Sequence, residues 1–298
     1  MVTKPVSTIG KRVVDWITAP VPYGRIAAFR TLVHLYVVAD ILFFTAWVRE
    51  HAGVSGELYR PLYIADILHL PTPNRALVLT LFWALLVLAP LAATGRAPRI
   101  LGSAVFVVYF AWMIIAMSYG KVDHDRVAFM IALAVLPWVG RAKHGDPTRS
   151  EAGGWALRLT QLGVIATYFL AAFAKMRYGG IQWFTSSTVT RSVLRRGTVL
   201  SIWMLKVPGL LVAAQFGIIA FEFLSPLIFF VRDRLRYLGI AGFYLFHAVV
   251  FATVTIAFVP HLVAMTCFLP LEKVRPVVWL RHLRDRRVER RRTRTVSV

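Results

Sequence analysis

The chain has 298 residues, 58% hydrophobic and 13% aromatic, with a mean hydropathy of +0.63 and a formal net charge of +21. Its apolar residues come in runs near the ~20 residues needed to cross about 30 Å of hydrocarbon, which excludes an ordinary soluble domain. The basic residues fall between those runs and in the tail, not among aromatics, which argues against nucleic acid as a partner, and the single cysteine, Cys267, excludes an internal disulfide and any cysteine-based metal motif.

Residues 1–25 are polar or mixed and end in the turn-forming "APVPYG", predicting an N-terminal segment rather than a cleaved signal peptide. Eight hydrophobic segments follow, at 26–47, 75–94, 99–118, 126–140, 155–176, 209–231, 237–259 and 261–272. The fourth and eighth are short, so seven or eight crossings are expected. The fold class predicted is an all-α polytopic membrane helix bundle over 26–272, followed by a basic tail at 273–298.

Even crossings put both termini on one side. Of the 35 Lys and Arg residues, 23 fall on that side and 10 on the other, which predicts cytoplasmic termini. Arginine makes up most of the basic count, alongside many Ala and Val, a composition of high-GC bacterial genomes. The expected location is the bacterial cytoplasmic membrane. The tail "RHLRDRRVERRRTRTV" reads either as a solvated stop-transfer tail or as an anionic-lipid contact.

Charge in hydrocarbon costs about 2.5–3.5 kcal/mol at a helix centre, so ionisable residues at depth need a partner or a role. In the first segment Arg30 and His34, four apart, share a face, whereas Asp40 lies about 280° around the helix from Arg30 and cannot pair with it. Glu222 is therefore the expected partner of Arg30. Pro226 removes the N–H that would bond the carbonyl of residue 222, so a kink with a free carbonyl is expected beside that acid. The stretch "SYGKVDHDR" (118–126) puts Tyr119, Asp123, His124 and Asp125 between two spans. Adjacent residues point apart, so general acid/base work by His124 fits better than metal binding, and no metal is expected. Lys175 lies at the outer end of the fifth segment on the side of His124, with Tyr168 seven residues earlier near the same face. It is either a snorkelling anchor or a base whose environment is dry. His247 lies mid-span in the seventh segment.

"RIAAFRTLVHLYVVADILFF", "SYGKVDHDRVAFMIAL", "TYFLAAFAKMRYGGIQWF" and "FEFLSPLIFFVRDRLRYLGIAGFYLFHAVV" occur in an order that resembles the horizontally transferred transmembrane family, whose best-known relative is vitamin K-dependent gamma-glutamyl carboxylase. The resemblance runs over about residues 20 to 272. In that carboxylase a lysine in a Tyr-Phe-x-Ala-Gly-x-Lys-Lys-Leu motif deprotonates the vitamin K hydroquinone. Oxygen then yields a strong base for glutamate carboxylation. The matching stretch here is Tyr168 to Met176, with Lys175 on the second lysine and Ala174 in place of the first. His124 and His247 match two histidines of the family. No counterpart of the carboxylase's large extracytoplasmic domain follows residue 272.

The resemblance implies a quinol- and oxygen-dependent carboxylase or epoxidase with Lys175, His124 and His247 as catalytic residues. Tyr168, Tyr119, Glu222 and Arg30 are the expected substrate- or quinone-binding residues. Reduced vitamin K or menaquinol would be the cofactor. Membrane lipid, a lipid quinone and a peptide or small molecule on the extracytoplasmic side would be partners. The alternative is a non-enzymatic transporter or assembly factor on the same bundle, its interior charges lining a path. A haem carrier ligated by His34 and His247 is a third reading.

Overall fold

The structure, a computed structural model, describes residues 8–274; most of the basic tail lies outside the described residues. Helix α1 (Thr8–Ile17) is amphipathic and leads through β1 (Val21–Pro22) into α2 (Tyr23–Ala39). Then come α3 (Tyr63–Ile67), α4 (Arg75–Ala93), α5 (Pro98–Met117) and α6 (Val127–Val135). After β2 (Arg149–Ser150) follow α7 (Glu151–Thr185), α8 (Thr188–Arg196), α9 (Val199–Met204), α10 (Leu210–Phe223), α11 (Asp233–Val254) and α12 (Val259–Met265). Among the described residues, five helical stretches are long and apolar enough to cross a membrane: 23–44, α4, α5, α7 and 234–254. Leu210–Phe223 and Val259–Phe268 are shorter apolar helices. This is an all-α membrane-type bundle.

Several segments differ from their sequence reading, each for a local reason. The first continues past α2 as a wide π-turn, Asp40–Phe44, closed by Thr45 N–H donating to the Asp40 carbonyl at 2.7 Å. The fourth shortens to α6 and a 3₁₀ turn, Leu136–Val139, stopped by Pro137 and by Gly140 at φ +78°. The sixth is interrupted beside Pro226 rather than bent: α10 ends at Phe223, and a separate 3₁₀ turn, Ser225–Phe229, carries the proline in its first turn. The fifth is much longer than read. With Ser150 accepting from Gly153 N–H at its start, α7 runs unbroken over residues 151–179, about 43 Å of rise, until Gly180 at φ +54° interrupts it before its last residues.

The two ends of the bundle are tied differently. At one end β1 pairs antiparallel with β2, Val21 opposite Ser150, and Gly154 sits against Ala19, where a Cβ would meet the carbonyl oxygen at 2.1 Å. Arg25 forms a bidentate pair with Glu272 at 2.7 and 2.8 Å there. At the other end lie the π-turn, the 3₁₀ turn His124–Arg126 and the upper part of α7. Between them the core packs Phe29, Tyr109, Trp112, Met113 and Phe129.

Candidate functional site

Asp40 shows why His124 is held where it is. Its carboxylate is fully buried and accepts from Tyr36 (3.3 Å), Thr45 (3.0 Å), Tyr109 (3.0 Å) and Arg126 (2.7 Å). Arg126 ends the short turn that carries His124 and Asp125, so this network anchors the turn from beneath and turns those two residues toward α7. Close packing of α6 on α7 completes the placement: a Cβ at Gly163 would stand 2.7 Å from the Ile131 side chain.

Lys175 faces inward. Its Nζ donates to Glu222 Oε1 at 2.6 Å and also to Oε2, with the lysine side chain 25% exposed and Glu222 7% exposed. The ammonium stands 5.4 Å from the Trp183 ring centre. Regular helix continues only as far as Gly179 past Lys175, before the break at Gly180; what sets the lysine apart from a snorkelling anchor is that its ammonium turns back to the Glu222 carboxylate. Glu222 therefore does not pair with Arg30 as expected. Arg30 instead donates to the carbonyls of Gly140 (2.7 Å) and Leu136 (3.3 Å). Carbonyls at the end of a proline-stopped helix lack intrahelical donors, and a buried guanidinium satisfies them as well as a carboxylate would satisfy it.

Tyr168 Oη and His247 Nε2 are hydrogen-bonded at 2.6 Å, and the tyrosine ring stacks on Phe243 at 4.9 Å. His261 sits 4.9 Å from the Tyr168 ring and 5.4 Å from His247, ring centre to ring centre. It is 1% exposed, and neither of its ring nitrogens has a hydrogen-bond partner among the described residues; His247 Nδ1 is likewise unpartnered. Tyr168, His247 and His261, with His124, Asp125, Glu222 and Phe258, line a chamber of about 40 Å³. That is room for a small molecule or a few waters, since roughly 10–15 Å³ of such free space admits one water. Unpartnered buried nitrogens around such a space form a receptor for a polar guest.

His124 and Thr167 also line a second space, a groove of about 500 Å³. Its other walls include Val127, Ile131, Leu170 and Lys175, and it opens through the exposed side chains of Val127 and Leu170. An apolar groove of this size thus touches a charged pair and a small polar chamber. Burial, and next the Lys175 charge, lower the proton affinity of His124, with Glu222 and Asp123 opposing. Burial raises Asp125 to about 6. The arrangement can take a proton from a group presented in the groove and distribute it over Lys175, Glu222 and His124.

Of the residues singled out in the sequence, the structure gathers Lys175, His124, His247, Tyr168 and Glu222. Tyr119 stands apart: its ring lies 3.9 Å from His51 and 5.7 Å from Tyr59, outside the chamber. Arg30 is committed to its carbonyls. His34 bonds the Arg30 carbonyl through Nδ1 at 2.8 Å and does not line the chamber that holds His247. His261 was missed, although a histidine directly after Pro260 inside an apolar segment was a readable signal. Among the described residues, no group of three or more His, Cys, Asp or Glu side chains is disposed to hold a metal ion.

Fold and site together define a class: an all-α membrane helix bundle with a charged pair and histidines at the meeting point of a polar chamber and an apolar groove. Comparisons with family models, curated proteins and solved structures find no match for the chain.

Proposed function

We propose that the protein is an integral membrane enzyme that deprotonates the hydroxyl of a lipid-soluble quinol, in the manner of the carboxylase and epoxidase chemistry its sequence resembles. The observation that carries this reading is the position of Lys175. It is locked onto Glu222 within helix α7, with His124 and an apolar groove on one side and the chamber of Tyr168, His247 and His261 on the other.

The residues present fit a quinol such as reduced vitamin K or menaquinol. Val127, Ile131 and Leu170 would hold an isoprenoid chain, while Lys175 and His124 face its ring. When bound, the quinol supplies reducing equivalents to oxygen. Moving one proton from Nζ to a Glu222 oxygen turns the ion pair into a neutral amine and a carboxylic acid. The amine then accepts a proton from the hydroxyl in the groove, and Nζ is again an ammonium. Leu170, Val127 and the buried faces of α6 and α7 keep water from competing. His247, oriented by Tyr168, and His261 bind the small molecule that the chamber admits. This reading places the chain in the bacterial cytoplasmic membrane with eight crossings and both termini cytoplasmic, so the site faces the extracytoplasmic side.

A transporter would need Arg30, Asp40 and Glu222 along one path. Asp40 and Arg30 are instead each bound into static buried contacts away from the chamber. The test is quinol-dependent oxygen uptake by the purified protein with reduced vitamin K and with menaquinol, wild type against Lys175→Ala. Uptake that falls at least about 100-fold in the variant supports the reading. No uptake by a folded wild type with either quinol refutes it.

A further inference from the structure

The stretch between Lys175 and α10 is chemically lopsided. Residues 177–208 contain Arg177, Arg191, Arg195, Arg196 and Lys206 and not one Asp or Glu. Three of these arginines lie on α8, all exposed, and their side chains have no ion pair or hydrogen bond among the described residues. An amphipathic helix with such a polar face belongs at the headgroup level of a membrane.

Beneath α8 lies an apolar groove of about 580 Å³ between α10 and α11. Val189 and Val193 of α8 roof it, and Leu211, Phe221, Phe246 and Val250 line its sides. Two glycines make the space. Gly217 on α10 and Gly242 on α11 both line the groove, and a Cβ at either would have no heavy atom within 4 Å. The roof is fixed at both ends. At its start, Gln215 accepts from Val189 N–H at 2.8 Å, and the two N–H groups of its amide are shared among the carbonyls of Trp183, Phe184 and Ser186. Just past its end, Thr198 Oγ1 donates to the Ala252 carbonyl at 2.6 Å. The helix is thus strapped from α10 to α11 over the groove. Arg196 comes one turn after Ser192, which lines the groove, and Arg195 one turn after Arg191.

We propose that this is a binding site for one anionic phospholipid, its phosphate held by Arg191, Arg195 and Arg196 and one acyl chain laid in the groove between Gly217 and Gly242. Apolar lining alone would accept any lipid; the unbalanced arginines above it select an anionic head, because forked guanidinium donors match phosphate oxygens. The chain would run down to Phe246, whose ring is shared between this groove and the polar chamber. The proposal is independent of the enzymatic reading, since binding is measured without turnover.

The full-length protein in nonionic detergent is offered dioleoyl phosphatidylglycerol or dioleoyl phosphatidylcholine, and retained lipid is counted by native mass spectrometry. The wild type should retain one phosphatidylglycerol at least tenfold in preference to phosphatidylcholine. Arg191→Gln/Arg195→Gln/Arg196→Gln should abolish the preference, and Gly217→Leu/Gly242→Leu should lose retention of both lipids with an unchanged thermal midpoint. Gly242→Leu alone serves if the double variant fails to fold. Equal retention of the two lipids by wild type, or undiminished preference in the arginine variant, overturns the proposal. Displacement of the lipid by millimolar inorganic phosphate would reveal a simple anion site, which also overturns it.

Discussion

Replacing Asp40 by asparagine keeps the shape of the side chain and removes only its charge. Asp40 is 0% exposed and receives four hydrogen bonds, one of them from the buried Arg126 at 2.7 Å. Asparagine can still accept from Tyr109 and Thr45, so packing and most hydroxyl bonds survive. What is lost is compensation of the guanidinium, whose Nε already lacks a partner. Leaving one member of a buried pair uncompensated costs about 3–5 kcal/mol. For a chain of this size that corresponds to a fall of about 10 °C in the thermal midpoint. The assay is tryptophan fluorescence on heating in detergent at a fixed scan rate, because such unfolding is often irreversible. Asp40→Asn/Arg126→Met, which removes both charges, should recover more than half of the loss. A shift below about 2 °C for the single variant, or a double variant no better than the single one, would refute the view that this pair anchors the His124 turn.

Glu222→Gln should lower quinol-dependent oxygen uptake by at least about tenfold while leaving the fold intact, since Lys175 keeps a neutral partner but loses the carboxylate that takes its proton; unchanged rates would remove Glu222 from the proton path. Asp125 titrates at about 6 in the fold against an ordinary 3.8. The fold therefore favours its protonated form: that contribution is complete below pH 3.8 and is lost as pH rises through 6. Asp125→Asn should be more stable than wild type above pH 6 by on the order of 2–3 kcal/mol, the difference vanishing toward pH 4 in parallel denaturation curves. Gln215→Leu strands three carbonyls and the Val189 N–H, so about 3 kcal/mol of stability should be lost and limited proteolysis should begin between Ser186 and Arg196.

Much of the site was visible as a pattern before any coordinates. Glu222 and His247 stood out because ionisable groups at membrane depth are rare, Lys175 because it closes an apolar run, His124 because it sits among carboxylates between two spans, and Tyr168 because seven residues return a helix to nearly the same face. The pairings were less legible. A buried arginine points by charge to an acid such as Glu222, whereas the carbonyls exposed by Pro137 and Gly140 claim Arg30. Arg126 was read as the edge of a loop, and nothing local says that it reaches back 86 residues to Asp40. Helix lengths failed where a special backbone decided them: α7 outran its apolar stretch because Gly180, not polarity, breaks it, and α10 stops at Phe223, ahead of a 3₁₀ turn from Ser225 that carries Pro226. Tyr119 was chosen for its neighbourhood in sequence, and its ring turned to His51 and Tyr59.

The long-range partners of Arg25, Arg30 and Asp40 arrive late in synthesis. Asp40 waits for Arg126, Arg30 for Gly140 at a separation of 110 residues, and Arg25 for Glu272 at a separation of 247. As it is made, α2 with its π-turn therefore carries Arg30 and Asp40 into the membrane before Gly140 and Arg126 exist, at about 2.5–3.5 kcal/mol for each charge near a helix centre. It cannot be released into lipid as a finished element. It has to be retained at the insertion machinery, or lie partly out of the bilayer, until α5 and α6 have been made. Chains truncated before Arg126 should accordingly be degraded or remain extractable, while those extending past Gly140 should hold α2 firmly.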